Sequence, residues 1–213
     1  MRYNPLYSVL KVIAVPLYKL LFFYKITGKE NLPKEGGYII CSNHLSNNDP
    51  IFLGLAVNRQ IYYMAKAELF KNPVLSALIR ALGAFPVQRG AGDGKAINDA
   101  EKIIRDKKML GIFIEGTRSK TGQFLRPKSG AAIIASQMNV PVLPLCITPK
   151  TKDRKVKLFH KTTISIGKPM TPAELGLGGE PGPEAYRGAA RTIMGEIKAL
   201  RAGVTGERAE DIK

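Results

Sequence analysis

The run Val140-Pro141-Val142-Leu143-Pro144-Leu145-Cys146-Ile147 contains no charge and no alternation of apolar with polar residues. A strand that is apolar on both faces must be covered from both sides, which excludes an open one-sided antiparallel sheet and calls for helices above and below. The rest of the chain fits that demand. Strands are expected at Tyr38 to Ser42, Ile61 to Met64, Ala84 to Val87, Met109 to Glu115, Val140 to Ile147 and Thr162 to Ile166, with helices over 50–58, 73–82, 95–107, 129–138 and 184–201. Helix 95–107 is the clearest, with Ala96, Ile97, Ala100, Ile103 and Ile104 on one face and Asp99, Lys102, Arg105 and Asp106 opposite. Strands separated by helices imply an α/β fold with a mixed, mostly parallel sheet covered on both faces.

The length of 213 residues suits one domain of this kind, and 45% hydrophobic residues are ample for its core. An N-terminal helix over 1–26, an α/β body over 27–175, and a tail over 176–213 are expected to make up that domain. In the tail, a Gly/Pro-rich stretch leads into a last amphipathic helix. Lys and Arg number 33 against 17 Asp and Glu, a net +16. The expected partners are therefore anionic: phosphate headgroups, an acidic carrier protein or nucleic acid. No RNA-binding signature or zinc-finger spacing occurs and Trp is absent, so nucleic acid is not expected. Cys41 and Cys146 sit in apolar runs without C-x-x-C spacing, the pattern of buried reduced thiols in a cytosol-facing protein.

Residues Leu6 to Tyr24 are largely apolar, but Lys11, Pro16 and Lys19 interrupt them. That is too charged and short for a comfortable spanning helix of about 20 apolar residues, and no signal-peptide cleavage site follows. At 100° per residue Ser8, Lys11 and Lys19 share a narrow stripe, while Leu6, Val9, Leu10, Val12, Ile13, Leu20 and Phe23 form a broad apolar face. The expectation is a helix lying in a membrane interface and kinked at Pro16. Its aromatics Tyr7, Tyr18, Phe22, Phe23 and Tyr24 would sit at headgroup depth, and its lysines would snorkel to anionic phosphates. Packing on the protein's own core is the other reading.

The chemistry is expected where the first strand stops, at Ser42-Asn43-His44-Leu45-Ser46-Asn47-Asn48-Asp49-Pro50. Asp49 before Pro50 reads as a helix start, with the carboxylate at or near the N-cap and proline at the first helical position. The turn folds Asp49 back toward His44. Imidazole, with an ordinary pKa of about 6.5, accepts a proton near neutrality, and a carboxylate fixes its tautomer and steadies the imidazolium. The alternative is a capping aspartate beside a polar turn histidine.

A second stretch, Phe113-Ile114-Glu115-Gly116-Thr117-Arg118-Ser119, joins the first. Together with Gly83-Ala84-Phe85-Pro86-Val87-Gln88-Arg89 and Val140-Pro141-Val142-Leu143-Pro144, they resemble the four ordered blocks of the glycerophospholipid acyltransferase family, of the 1-acylglycerol-3-phosphate acyltransferase type. The first block is N-H-x4-D. The third, F-P-E-G-T-R-S in the family, has Ile114 where proline is usual. The resemblance covers residues 1 to about 170. It implies a His44–Asp49 catalytic dyad that transfers a fatty acyl group from acyl-CoA or acyl carrier protein to 1-acylglycerol-3-phosphate, yielding phosphatidic acid. It implies acceptor contacts from Lys66, Arg89, Glu115, Gly116, Thr117 and the phosphate-binding Arg118. It also favours N-terminal attachment to the cytoplasmic face of the membrane, peripheral or monotopic.

The residues support direct attack. No G-x-S-x-G elbow supplies a serine nucleophile, and Cys41, three residues before His44, lies in a hydrophobic strand that favours an inert thiol. No second histidine or cysteine cluster completes a metal site with His44 and Asp49, and no cofactor is expected beyond the acyl-thioester co-substrate. Arg118, Lys120, Arg126 and Lys128 lead into a helix start at Lys128-Ser129-Gly130, a candidate phosphate cradle. Glu115 either positions acceptor hydroxyls or holds Arg118 by an ion pair. His160 is expected on the surface. The basic run Lys150, Lys152, Arg154, Lys155, Lys157 and Lys161 would press on anionic lipid, dock an acidic carrier or lie in water. Other acceptors, such as glycerol-3-phosphate or another lysophospholipid, and a non-catalytic basic membrane-binding protein are the alternative functions.

Overall fold

A computed structural model of the chain describes residues 5–87, 94–208 and 211. Seven strands form one sheet: β1 (Lys25–Thr27), β2 (Tyr38–Ser42), β3 (Ile61–Lys66), β4 (Ala84–Val87), β5 (Met109–Phe113), β6 (Val142–Pro149) and β7 (Thr162–Ile166), in the order β1-β7-β6-β2-β5-β3-β4. All neighbours pair in parallel except β6 with β7. Every residue of β2, β6 and β7 is buried, as helices on both faces require. Helices α1 (Pro5–Phe22) and α2 (Asp49–Ala56) cover one face, and α4 (Gly94–Arg105), α5 (Gly130–Met138) and α6 (Pro183–Thr205) cover the other. α3 (Pro73–Ala81) packs beside β4. This is the mixed, mostly parallel fold that the sequence predicts.

Among the boundaries that differ from expectation, three have a clear local reason. The strand expected from Val140 begins at Val142, because the Val140 amide is used to close the end of α5 on the Ala135 carbonyl and Pro141 has no amide hydrogen. It runs on through Pro149 because β7 supplies an antiparallel partner, Thr148 opposite Thr163 and Pro149 opposite Thr162. β5 stops at Phe113, since Gly116, at φ 71°, turns the chain back on the Phe113 carbonyl.

The N-terminal helix corrects the sequence reading. α1 continues through Pro16, and both of its lysines bond to the protein's own backbone: half-buried Lys11 donates through Nζ to the Val57 carbonyl at 2.5 Å, and exposed Lys19 to the Tyr24 carbonyl at 3.0 Å. Val57 is the C-cap of α2, so Lys11 satisfies a carbonyl left open at a helix end. Of the five aromatics expected at headgroup depth, Tyr7, Tyr18, Phe22 and Tyr24 are buried in the protein and Phe23 is exposed. Tyr18 and Phe22 meet Phe52 of α2 edge-on at 5.4 and 5.2 Å, and the Tyr18 hydroxyl donates to Asn48 at 2.9 Å. Leu6, Val9, Val12, Ile13, Leu17 and Leu20 remain exposed along the outer face.

Candidate active site

Neighbouring strands β2 and β5 release two loops at the carboxyl end of the sheet. The first leads to α2 on one face and the second, over 114–129, to α5 on the other, which opens the crevice typical of α/β sheets. Asn43 fixes the first loop. Its side chain extends the β2–β6 ladder by donating to the Ile147 carbonyl at 3.0 Å and accepting from the Ile147 amide at 2.8 Å. The two loops are joined by the Ser119 amide, which donates to the His44 carbonyl at 2.8 Å.

Asn48 is the N-cap of α2, so the helix begins one residue earlier than the sequence implied, with Asp49 first and Pro50 second. The Asp49 carboxylate is wholly buried. It accepts from the Leu45 amide at 2.5 Å, the Ser46 amide at 2.7 Å and the Ser46 hydroxyl at 3.0 Å, and its Oδ2 lies 2.7 Å from His44 Nδ1. With Nδ1 engaged, Nε2 is the ring nitrogen left for other work. The imidazole is clamped flat against Phe113, centroids 3.9 Å apart and planes 13° apart, and Phe113 is stacked in turn on Tyr63. The Tyr63 hydroxyl donates to the Pro50 carbonyl at 2.9 Å. There is room for that ring because residue 111 is glycine: a Cβ there would come within 2.5 Å of Tyr63.

His44 faces a cavity of about 1060 Å³ between α1, α2, α3 and strands β3 to β5. Lys66, Gly116, Thr117, Arg118 and Lys128, all singled out in the sequence, line it with His44, and Gly130 and Ala131 bring the amino end of α5 to it. Apolar Leu10, Ala14, Leu55, Ile61, Leu78 and Leu82 supply much of the remaining wall. Lys120 and Arg126 are exposed and do not line it. Arg89 lies outside the described residues. His160 is exposed, and the basic run at 150–161 spans the edge of the sheet: Lys150, Lys152, Arg154 and Lys161 line a groove on the α6 side, while Val156 packs into the α1-side core and the Phe159 amide donates to the Leu21 carbonyl of α1 at 2.6 Å.

Glu115 departs from both expected roles. It is buried behind the cavity wall and forms no ion pair with Arg118, whose Nη1 donates instead to Asn47 Oδ1 at 2.6 Å. Neither carboxylate oxygen meets a donor in good hydrogen-bond geometry. Burial pushes its carboxyl up to about 7, against the pull of the nearby His44 and Leu125 amides and the charge of Arg201. Arg201 was not anticipated. It is 1% exposed, stacks on Phe124 and donates through Nη1 to the Gly122 carbonyl at 3.1 Å.

Cys41, the competing nucleophile, is fully buried in β2 and its thiol is pushed far up by desolvation, so no thiolate forms near neutrality. Among the described residues no group of three or more His, Cys, Asp or Glu converges as metal ligands would.

A family model described as Acyltransferase matches residues 24–148, from the start of the α/β body to the end of β6. The chain belongs to the acyltransferase family. The 1-acyl-sn-glycerol-3-phosphate acyltransferase of Bacillus subtilis (strain 168) is 32% identical over 151 residues, 70% of this chain and 75% of that protein. Proteins with the same description from Borreliella burgdorferi and Saccharomyces cerevisiae are 30% identical over 128 residues and 32% over 161, covering 57% and 71% of this chain. The chain spans about half the length of those two relatives, 50% and 52%. Among solved structures, PlsC of Thermotoga maritima, a 1-acyl-sn-glycerophosphate (LPA) acyltransferase, superposes with a TM-score of 0.71 at 24% identity, covering 94% of this chain and 78% of that one. That likeness extends the shared fold well beyond the 24–148 core.

Proposed function

We propose that the chain transfers a fatty acyl group from an acyl thioester, acyl-CoA or acyl carrier protein, to the free hydroxyl of 1-acylglycerol-3-phosphate, forming phosphatidic acid, with His44 as general base. The observation that carries this reading is the composition of a single cavity. A histidine whose Nδ1 is held by a buried carboxylate opens onto a space that is apolar on one side and edged by Arg118, Lys66 and Lys128.

Each part has a chemical use. Nε2 of His44 takes the acceptor hydroxyl proton as that oxygen bonds to the thioester carbonyl carbon. The tetrahedral adduct then collapses by breaking the carbon–sulfur bond, and the imidazolium returns its proton to the departing thiolate sulfur. The buried Asp49 anion stabilises the imidazolium in between, and base assistance of this kind is worth roughly 10²–10⁴ in rate. The cations hold the acceptor phosphate, with the Arg118 guanidinium suited to a bidentate grip. The apolar wall takes an acyl chain.

We propose that it works on the cytoplasmic face of a membrane, peripheral or monotopic, and the geometry supports contact with a lipid surface. The exposed apolar faces of α1 and α3 (Val12, Leu20, Val74, Leu78) flank the cavity that α1 and α3 themselves line. The test is an assay of the purified protein in mixed micelles with each labelled acyl donor against lysophosphatidic acid, glycerol-3-phosphate and lysophosphatidylcholine. Phosphatidic acid as the favoured product supports the reading, and labelled product from lysophosphatidylcholine alone overturns it.

A further inference from the structure

A second groove, separate from the His44 cavity, lies on the other face of the sheet. Along β1, β7 and β6 the side chains alternate. Ile26, Ile164, Ile166 and Ile147 pack toward α1 and α2. The residues between them, Lys25, Thr27, Thr163, Ser165 and Thr148, therefore face the α6 side, where the register sets Lys25 and Thr148 beside Thr163 and Thr27 beside Ser165. Elsewhere on that face the sheet is apolar and covered by helix. Here it is a hydroxyl-bearing floor, and with the last turns of α6 it bounds a groove of about 1110 Å³. That is at or above the ~300–1,000 Å³ usual for small-molecule sites.

The charge in this groove is one-sided. Lys25, Lys150, Lys152, Arg154, Lys161 and Arg201 line it, against only Glu196 and Glu207. Arg154 and Glu207 already neutralise each other at 2.7 Å, while the four lysines make no ion pair among the described residues. On the floor, Thr163 is 7% exposed and its hydroxyl finds no hydrogen-bond partner among the described residues; Ser165 is engaged only by Thr27, at 3.2 Å. Four unpaired ammonium groups gathered over recessed hydroxyls repel one another unless an anion joins them.

We propose that this groove binds a soluble phosphorylated small molecule carrying at least two negative charges. Its phosphates lie between the rim lysines and the Thr163–Ser165 floor, and its uncharged part lies along the Ala199, Gly203 and Val204 wall of α6. A bilayer is disfavoured as the occupant because Thr163, Ser165 and Thr148 are only 7, 4 and 3% exposed, so a headgroup layer would meet the rim lysines and not the hydroxyl floor. An acidic protein surface is disfavoured because the hydroxyls are recessed, where the carboxylates of a helix would reach only the rim. Free nucleoside diphosphates and the bisphosphorylated nucleotide end of coenzyme A are two sources of the same chemistry.

The test uses the full chain in neutral detergent micelles at fixed ionic strength, with calorimetric titration of ADP, coenzyme A and inorganic phosphate. Saturable one-to-one binding of ADP or coenzyme A, at least about tenfold tighter than inorganic phosphate, is expected where several charge-assisted contacts act together. Lys152→Glu with Lys161→Glu should weaken it about tenfold or more by the same reasoning. Thr163→Val, which leaves charge untouched, should weaken it several-fold with an unchanged melting temperature. Coenzyme A binding well ahead of ADP names the thioester cofactor as the source, and equal binding names free nucleotides. The proposal is overturned by absence of saturable binding, or by a Lys34→Glu, Lys71→Glu control pair that weakens ADP binding as much as the groove pair. It is equally overturned if the groove pair abolishes sedimentation with phosphatidylglycerol vesicles while ADP fails to bind, which gives the groove to the membrane.

Discussion

The guanidinium carbon of Arg201 lies 3.8 Å from the centre of the Phe124 ring, so the last helix holds down the loop that carries Arg118. Arg201 Nη1 also bonds the Gly122 carbonyl in the same loop. A desolvated cation–π contact of about 2 kcal/mol and a charge-assisted hydrogen bond of about 1.5–3 kcal/mol are therefore at stake. Arg201→Met should lower the melting temperature, speed limited proteolysis within 119–128 and raise the acceptor KM more than the donor KM. Arg201→Lys, which keeps the charge but not the planar stack, should recover only part of each. Unchanged proteolysis in Arg201→Met would show that α6 does not hold the loop.

His44→Ala should abolish turnover and lower the melting temperature only modestly: the stack on Phe113 is lost, but the Leu45 and Ser46 amides and the Ser46 hydroxyl still hold the buried Asp49 carboxylate. Asp49→Asn is different in kind. The Leu45 and Ser46 amides and His44 Nδ1 all converge on Oδ2, so the asparagine carbonyl must turn there and its NH2 toward the Ser46 hydroxyl, and every bond to Oδ2 loses its charge assistance. We expect a stability loss of about 1–3 kcal/mol together with a rate loss of about 10² or more. Steady-state rates and thermal melts on both variants check this. Retention of more than about a tenth of the wild-type rate in either, where a general base supplies ~10² or more, rules out the dyad.

Glu115 gives stability a pH dependence with a definite sign. Its carboxyl in the fold is raised from 4.5 to about 7, so between those values the folded chain holds a proton that the unfolded chain has released. Stability from this group is thus greatest below about pH 4.5, falls as pH rises toward 7, and is fully lost above it. The rise corresponds to on the order of 3 kcal/mol at about 1.4 kcal/mol per pH unit. Glu115→Gln, which mimics the protonated form, should be flatter than wild type between pH 4.5 and 7 in urea melts. Parallel curves for the two proteins would contradict the assignment.

Much of the architecture is legible because it rests on local patterns. A strand apolar on both faces announces a doubly covered sheet, and Asp49-Pro50 announces a helix start. What could not be read depends on partners distant in sequence. Lys25-Ile26-Thr27 has one apolar residue and no strand signature, yet it becomes β1 because the free edge of β7 offers Thr163 to Ser165 as partners. Lys11 and Lys19 look like a solvated stripe until the open carbonyls of Val57 and Tyr24 are brought beneath them. Arg201, one hydrophilic residue at the end of an amphipathic helix, carries no mark of its burial. Asn43 was visible as the residue beside His44, but its grip on Ile147 spans 104 positions and appears only in the fold.

The outer face of α1 separates membrane contact from core packing. Val12 and Leu20 are 73% and 65% exposed, so Val12→Asp with Leu20→Glu should leave the unfolding free energy within about 0.5 kcal/mol of wild type, as for surface changes, while reducing sedimentation with liposomes. Tyr18→Ala should instead cost about 3 kcal/mol, the scale for truncating a buried aromatic, with vesicle binding retained by the folded fraction. Removal of residues 1–26 strips Tyr18 and Phe22 from Phe52 and should give aggregates rather than a soluble domain. A soluble, monomeric truncation would place α1 outside the core.

Arg118 separates acceptor recognition from structure. It is exposed at the cavity edge, and its only hydrogen bond among the described residues runs to Asn47 Oδ1, which leaves the rest of the guanidinium fork for a phosphate. If it grips the acceptor, Arg118→Lys keeps the charge and loses the fork, and Arg118→Ala loses both, so acceptor KM should rise in that order while donor KM holds. A contact of ~1.5–3 kcal/mol implies a roughly ten- to hundredfold fall in kcat/KM for the acceptor. Asn47→Ala, which frees the guanidinium without removing it, should cost less than either. Because Glu115 is buried and unpaired with Arg118, Glu115→Gln should not reproduce the acceptor defect. Kinetics with each substrate varied in turn decide the matter: equal damage to donor and acceptor KM in Arg118→Ala would remove this residue from the phosphate site.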